Sequence, residues 1–320
     1  MSKSAPRPNV AAEAAPRPNV AAEAAPRPRV VLVDGVPMSG LVAEAPEPRA
    51  VIVAFHGGAS TAAYFDCPGH PRLSMLRTGA ALGFTVVALD RPGYGSSAPY
   101  PDAMQHPEQR VALAYGAVDK ILGSKPRGAG LFLLGHSAGC ELAVRMTVDE
   151  KAEDAGVLGL ELAGTGLQYA DDAKEILKTA TATQRPTGLR ELLWQPAHLY
   201  PAEVLSGITN STTGALYEAT MVKDWARQDF PALAEQVRVP VQFSLAEHER
   251  VWRSDPAAHA VITAMFTASP RFVINEQVGA GHNLSLSVNA AAYHLKVLSF
   301  VEECVTARER ASAEAKLEAG

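Results

Sequence analysis

The feature that most constrains this chain is a series of short, unbroken apolar runs. They are AVIVAF (50–55), FTVVAL (84–89), GLFLL (130–134), VLGLEL (157–162), VPVQFSL (239–245) and RFVINEQV (271–278). Runs without polar alternation are those of strands covered on both faces. Helical patterns over 72–82, about 107–123, 139–152 and 287–308 fall between and after them. Strands alternating with helices predict an α/β fold, a mostly parallel central sheet flanked by helices on both faces. RVVLV (29–33), Asp34-Gly35 and VPMSGLVAEA read as a hairpin, because Asp-Gly is a strong two-residue turn. That hairpin would add an antiparallel edge.

One interval breaks the alternation. Residues 164–236 are rich in Thr, Pro, Trp and Tyr and carry helical pieces such as TGALYEATMVKDWARQ. They read as a helical cap inserted after the sixth strand. Ligands of open α/β sheets bind beyond the carboxyl ends of the strands, so a cap leaving that edge would roof the site. The other irregular segment is the start. APRPNVAAEA at 5–14 recurs at 15–24, and a third copy begins at 25. A ten-residue period is too short for a solenoid, and the two prolines per copy and scarce large apolar side chains predict a disordered or polyproline-like extension. It is either dispensable or a docking arm. The expected organisation is a tail over 1–28, a core over 29–163 and 237–308, and a cap over 164–236.

Composition removes several function classes. A net charge of −5 leaves no basic excess for nucleic acid. Three cysteines (Cys67, Cys140, Cys304), an odd number without metal spacing, suggest a reducing, cytoplasmic setting. The first residues lack the apolar stretch of a secretion signal, and no run approaches the roughly 18 apolar residues of a membrane span. No metal or other cofactor is expected: HExxH is missing, and Glu247-His248-Glu249 is too short to supply a ligand set.

The chemistry centres on Gly135-His136-Ser137-Ala138-Gly139, which lies where GLFLL gives way to a helix. This G-x-S-x-G spacing has a steric reason. A serine on a sharp turn needs neighbours two before and two after it without side chains, so that strand and helix can approach. Its hydroxyl then projects above a helix N-terminus, where negative charge is favoured. Upstream, His56-Gly57-Gly58-Ala59 follows the strand AVIVAF. A loop there supplies one backbone N–H to an oxyanion, and the residue after the nucleophile supplies another. Gly58 and Ala138 are the expected donors.

With ALDRPGYGSS (88–97) after the next strand, the three stretches together resemble the α/β-hydrolase family, its serine esterases, lipases and thioesterases included. The likeness covers roughly 29–305 and implies that Asp90–Ser97 is a structural turn. A serine hydroxyl needs a base. The family order of serine, acid, histidine leaves His259, His282 and His294. His259 and His294 lie in helical stretches, whereas His282 follows RFVINEQV in the Gly-flanked loop GAGHNLSLS, from which a ring reaches the serine. The acid should follow VPVQFSL, where Glu247 and Glu249 would point the same way on an extended chain. The resemblance, in which many members carry G-E-x-D here, implies Glu249. This chain has Glu in place of that Asp and Ala246 in place of the usual Gly.

The expectation is a serine hydrolase with a Ser137–His282–Glu249 triad, cleaving an ester or thioester of a small to medium apolar substrate. Acyl transfer or cyclisation, a lyase or C–C hydrolase, and a non-catalytic binding protein are the alternatives. Tyr64, His136 and Trp194 are candidate pocket residues. Tyr169, Tyr200, Tyr217 and Trp225 form either an apolar ceiling or a self-packed cap. Cys140 reads as a small packed residue. The expected partner is a small molecule, with no nucleic acid and no membrane; oligomeric state is not legible.

Overall fold

The computed structural model describes residues 25–178, 186–207 and 214–318. The expected tail falls almost wholly outside the described residues. Eight strands form one sheet in the order β1-β2-β4-β3-β5-β6-β7-β8. They are β1 (Arg27–Val33), β2 (Val36–Ala43), β3 (Val51–Phe55), β4 (Thr85–Leu89), β5 (Leu131–His136), β6 (Val157–Ala163), β7 (Val241–His248) and β8 (Phe272–Gly281). From β4 to β8 every pairing is parallel, and the β1–β2 hairpin adds the antiparallel edge. Asp34 and Gly35 turn that hairpin with φ of 48° and 84°, the left-handed pair that suits the twist of two strands.

The apolar runs of the inner strands are two-faced, whereas β8, from RFVINEQV, is a half-exposed edge strand. Val51, Val53 and Phe55 of β3 join one core with Leu131 and Leu133 of β5. Ile52 and Ala54 join the opposite core with Phe132 and Leu134. Helices α1 (Met75–Ala81), α2 (Pro107–Leu122) and α3 (Gly139–Val148) follow β3, β4 and β5. α2 and α3 pack on the first face, while α1 and the last helix pack on the second.

Among the described residues the β6–β7 connection carries the short helices α4 (Asp171–Leu177), α5 (Leu189–Trp194), α6 (Ala202–Gly207), α7 (Glu218–Asp224) and α8 (Phe230–Ala234). A π-turn at Trp225–Asp229 joins α7 to α8. Beyond the sheet's last crossover helix, α9 (Pro256–Met265), the chain closes with α10 (Ala290–Glu318).

Two boundaries differ from the sequence reading. The sheet begins at Arg27, two residues inside the expected tail, because β1 pairs along its whole length as far as Arg27↔Val42. The last helix runs on to Glu318 rather than ending at 308. Its added turns are mostly Ala and Glu, strong helix formers, and Arg49 ties the helix to the core through Glu302 and Glu309 at 2.6 and 2.7 Å. Among the described residues no helix is long and apolar enough to cross a membrane.

Candidate active site

Ser137 lies between β5 and α3 with φ of 51°, a left-handed backbone that non-glycine residues seldom adopt. The two flanking glycines make the turn feasible. A Cβ on Gly135 would lie 2.7 Å from Cys140 Cα, and one on Gly139 would lie 2.3 Å from the Phe55 carbonyl oxygen. The first glycine lets the helix fold back on its own strand; the second lets it press on the end of β3. The Ser137 amide donates to Ala163 O at 2.8 Å, pinning the turn to the end of β6.

His282 follows β8 and reaches Ser137 from the other side. Its Nε2 is 3.2 Å from Ser137 Oγ, and its Nδ1 is 3.0 and 2.9 Å from the two Glu249 carboxylate oxygens. Facing a carboxylate, Nδ1 carries the proton, which leaves Nε2 as the acceptor for the serine hydroxyl. Glu249 is fully buried and accepts the Val251 and Trp252 amides at 2.8 and 3.4 Å. Burial pushes its pKa up, but the His282 ring and these amides pull harder, so the carboxyl sits below its ordinary value. The His282 backbone is fixed as well: its carbonyl oxygen meets His136 Nε2 at 2.9 Å. The next amide, Asn283 N, donates to Tyr200 Oη at 3.3 Å.

The other acid and the other histidines are placed elsewhere. Glu247 is on the outside, where it accepts the Gly279 amide at 2.7 Å. His259 is in α9. His294 is fully buried in α10, and neither ring nitrogen has a hydrogen-bond partner among the described residues; burial lowers its pKa to about 3.

The loop after β3 borders the nucleophile: a Cβ on Gly57 would lie 3.1 Å from Ser137 Cβ. His56 braces this loop, with Nδ1 2.7 Å from Gly57 O and Nε2 accepting the Arg91 amide at 3.1 Å. Burial, chiefly, holds His56 well below its ordinary pKa, so a neutral ring with the proton on Nδ1 satisfies both contacts. Neither the Gly58 nor the Ala138 amide donates to an acceptor among the described residues. Asp90, at the head of the turn after β4, accepts Ser39 Oγ at 2.6 Å and the Ala62 amide at 2.7 Å, a bracing role.

The expected pocket residues part company. Tyr64 and His136 are only 2% and 3% exposed and stack on each other at 4.4 Å. Tyr64 Oη accepts the Ser285 amide and His136 Nε2 meets His282 O, both on the segment that carries His282. Trp194 is half-buried, edge-on to Tyr200 at 5.2 Å. Cys140 is buried with its thiol pKa pushed up by burial, as a packing residue should be. Trp225 stacks on Phe230 and Tyr169 on Trp252, so these two aromatics pack internally.

Three residues had no signature in the sequence. Trp252 donates its indole N–H to Gly164 O at 3.0 Å, fixing the loop that lies against the His282 ring. Arg91 and Glu218 form a buried ion pair between the turn after β4 and helix α7. Arg91 is the second residue of DRPGYG, but nothing in that stretch points to a partner on a distant helix.

The sequence model of an alpha/beta hydrolase family matches residues 51–293. Among curated proteins, none matches the chain in sequence. Many solved structures share the fold. An E-2-(acetamidomethylene)succinate hydrolase superposes with a TM-score of 0.62 at 16% identity, covering 87% of this chain and 100% of its own. A thioesterase domain from the curacin biosynthetic pathway gives 0.55 at 19% identity, covering 86% and 99%. An N-acyl homoserine lactonase complexed with N-hexanoyl homoserine gives 0.59 at 16% identity, covering 88% and 98%.

Proposed function

The chain belongs to the α/β hydrolase family, and on that premise we propose that it cleaves a carboxylic ester or thioester through an acyl-enzyme on Ser137. The observation that carries this reading is the hydrogen-bonded chain Glu249–His282–Ser137, which ends on a left-handed serine at a helix start. The thioesterase and the lactonase among the structural relatives support an ester-type bond.

His282 Nε2 takes the proton as Ser137 Oγ attacks the carbonyl carbon, and Glu249 stabilises the imidazolium. The Gly58 and Ala138 amides receive the oxyanion; a donor of this kind is typically worth about 10²–10³ in kcat. His282 then gives its proton to the leaving oxygen or sulfur, and water, activated by the same ring, releases the acid. The β6–β7 connection acts as the cap, and half-buried Trp194 lends it apolar surface for a small to medium acyl chain. Three free, buried cysteines suit a reducing, cytoplasmic setting.

The test is turnover of p-nitrophenyl butyrate together with labelling by a fluorophosphonate. Ser137→Ala is expected to lose about 10⁴-fold or more in kcat and all labelling. A variant that folds and still turns over at the wild-type rate would end the reading.

A further inference from the structure

We propose that Arg91 and Glu218 are positioning residues that aim the Gly58 amide, so that the oxyanion site is complete only while helix α7 is docked. This rests on the reading of Gly58 as an oxyanion donor. The argument begins with a single peptide plane. Gly57 C=O and Gly58 N–H belong to the same planar, trans unit and point in opposite directions. Whatever holds the Gly57 oxygen therefore sets the direction of the Gly58 amide. Arg91 Nη2 donates to that oxygen at 3.2 Å, and His56 Nδ1 lies 2.7 Å from it.

Arg91 is itself held from the cap. It is fully buried, its Nε has no hydrogen-bond partner among the described residues, and its charge is met by the Glu218 carboxylate of α7. Its Nη1 reaches Tyr217 Oη at 3.4 Å, and that hydroxyl donates to Pro92 O at 2.9 Å. A buried guanidinium deprived of its counter-charge is strongly unfavourable. Undocking α7 would thus force Arg91 to move or rehydrate, and the tether on Gly57 O would go with it.

The same carboxylate reaches the loop by a second arm. Tyr94 Oη donates to Glu218 Oε2 at 2.7 Å and accepts the Ala59 amide at 3.0 Å. Glu218 therefore braces both sides of Gly58, through Arg91 on residue 57 and through Tyr94 on residue 59. Ala59 holds a left-handed φ of 54°, a conformation that needs such support. Glu218 Oε2 also lies 3.4 Å from the Cβ position of Gly58. A bare carboxylate there would oppose a developing oxyanion, so Arg91 has two tasks, to orient the amide and to neutralise Glu218.

These two tasks give a signature that a merely structural ion pair would lack. Arg91→Met removes the tether and exposes the carboxylate, and should cost about 100-fold in kcat on p-nitrophenyl butyrate with KM little changed. Binding of an alkyl trifluoromethyl ketone, which places an oxyanion on adding to Ser137, should weaken by a similar factor. Glu218→Gln keeps hydrogen-bonding capacity and should cost about tenfold, less than the loss of a whole donor. The double variant should be better than Arg91→Met alone, because the repelling charge is gone. If Arg91→Met does not fold, Glu218→Gln still decides, through the parallel loss of kcat and ketone affinity. Wild-type kcat and ketone affinity in a folded Glu218→Gln variant would overturn the proposal, as would a double variant that loses the product of the two single losses. Ser137→Ala run alongside separates the two claims: if it retains turnover, the triad reading fails; if it is silent while the other variants are unaffected, only the positioning proposal fails.

Discussion

The sheet and the β6–β7 connection are built on different principles. The sheet is held by strands whose residues are buried without interruption in β3, β4, β5 and β6. The β6–β7 connection is held by helices of five to seven residues, and α4, α5, α7 and α8 all start without a side-chain cap. Helices that short do not stand alone in water; they persist because they dock. Their own apolar cluster is small, with Ala173, Leu192 and Ala226 packed on Val251 and Trp252 at the end of the sheet. Fixed geometry at Ser137 thus comes first from the sheet, and the β6–β7 connection adds contacts that depend on its docking.

The largest expected effect lies on the fixed side. Glu249→Gln keeps the shape but no longer favours the imidazolium, and should lower kcat about 10⁴-fold, as loss of the orienting acid does in serine hydrolases generally. Steady-state kinetics check it, and a fall under tenfold would mean that the sheet edge does not carry the chemistry. Next comes stability. Leu134→Ala in β5 should cost about 2–5 kcal/mol in urea unfolding. Leu192→Ala in α5 should instead speed amide exchange and proteolysis of the connection, with a smaller change in global unfolding. Equal losses would show that the two bodies unfold as one.

The last effect shows only when pH is varied, and it is seated in the sheet. Glu161 of β6 is buried, with Tyr293 Oη 3.0 Å from Oε1. Burial raises its carboxyl from an ordinary 4.5 to about 8. Between those values the folded chain keeps a proton that the unfolded chain releases. Its contribution is therefore fully present below pH 4.5 and declines as pH rises through the window toward 8, by at most about 1.4 kcal/mol per pH unit. Glu161→Gln should flatten the decline in melting temperature from pH 5 to pH 9; an unchanged profile would place the buried charge elsewhere.

The sheet was legible because a strand buried on both faces has a sequence unlike anything exposed. The turn at Ser137 and the placement of His282 beside it were legible because steric need dictates small residues around them. The acid was not settled by pattern, and the structure gives the reason. The β7–β8 register slips between Ala246 and His248, and the chain then turns, with Glu249 N donating to Ala246 O at 3.1 Å. Strand alternation fails at that irregularity, so Glu247 faces outward while Glu249 faces the histidine. The Arg91–Glu218 pair lay beyond reach for another reason. Its members are 127 residues apart, and no local pattern encodes which loop a cap helix will land on.

The left-handed backbone at Ser137 has one further consequence. It is set by Gly135, Gly139 and the crossing of β3, none of which depends on which side chain stands at 137. The fold therefore specifies an address, a point above a helix start to which any short γ-heteroatom would be delivered. Asparagine and aspartate tolerate that conformation better than serine does. Exchanging the group at 137 is thus a change of reagent at a constant location, and the scaffold would accept new chemistry there more readily than it would accept a methyl group on either neighbouring glycine.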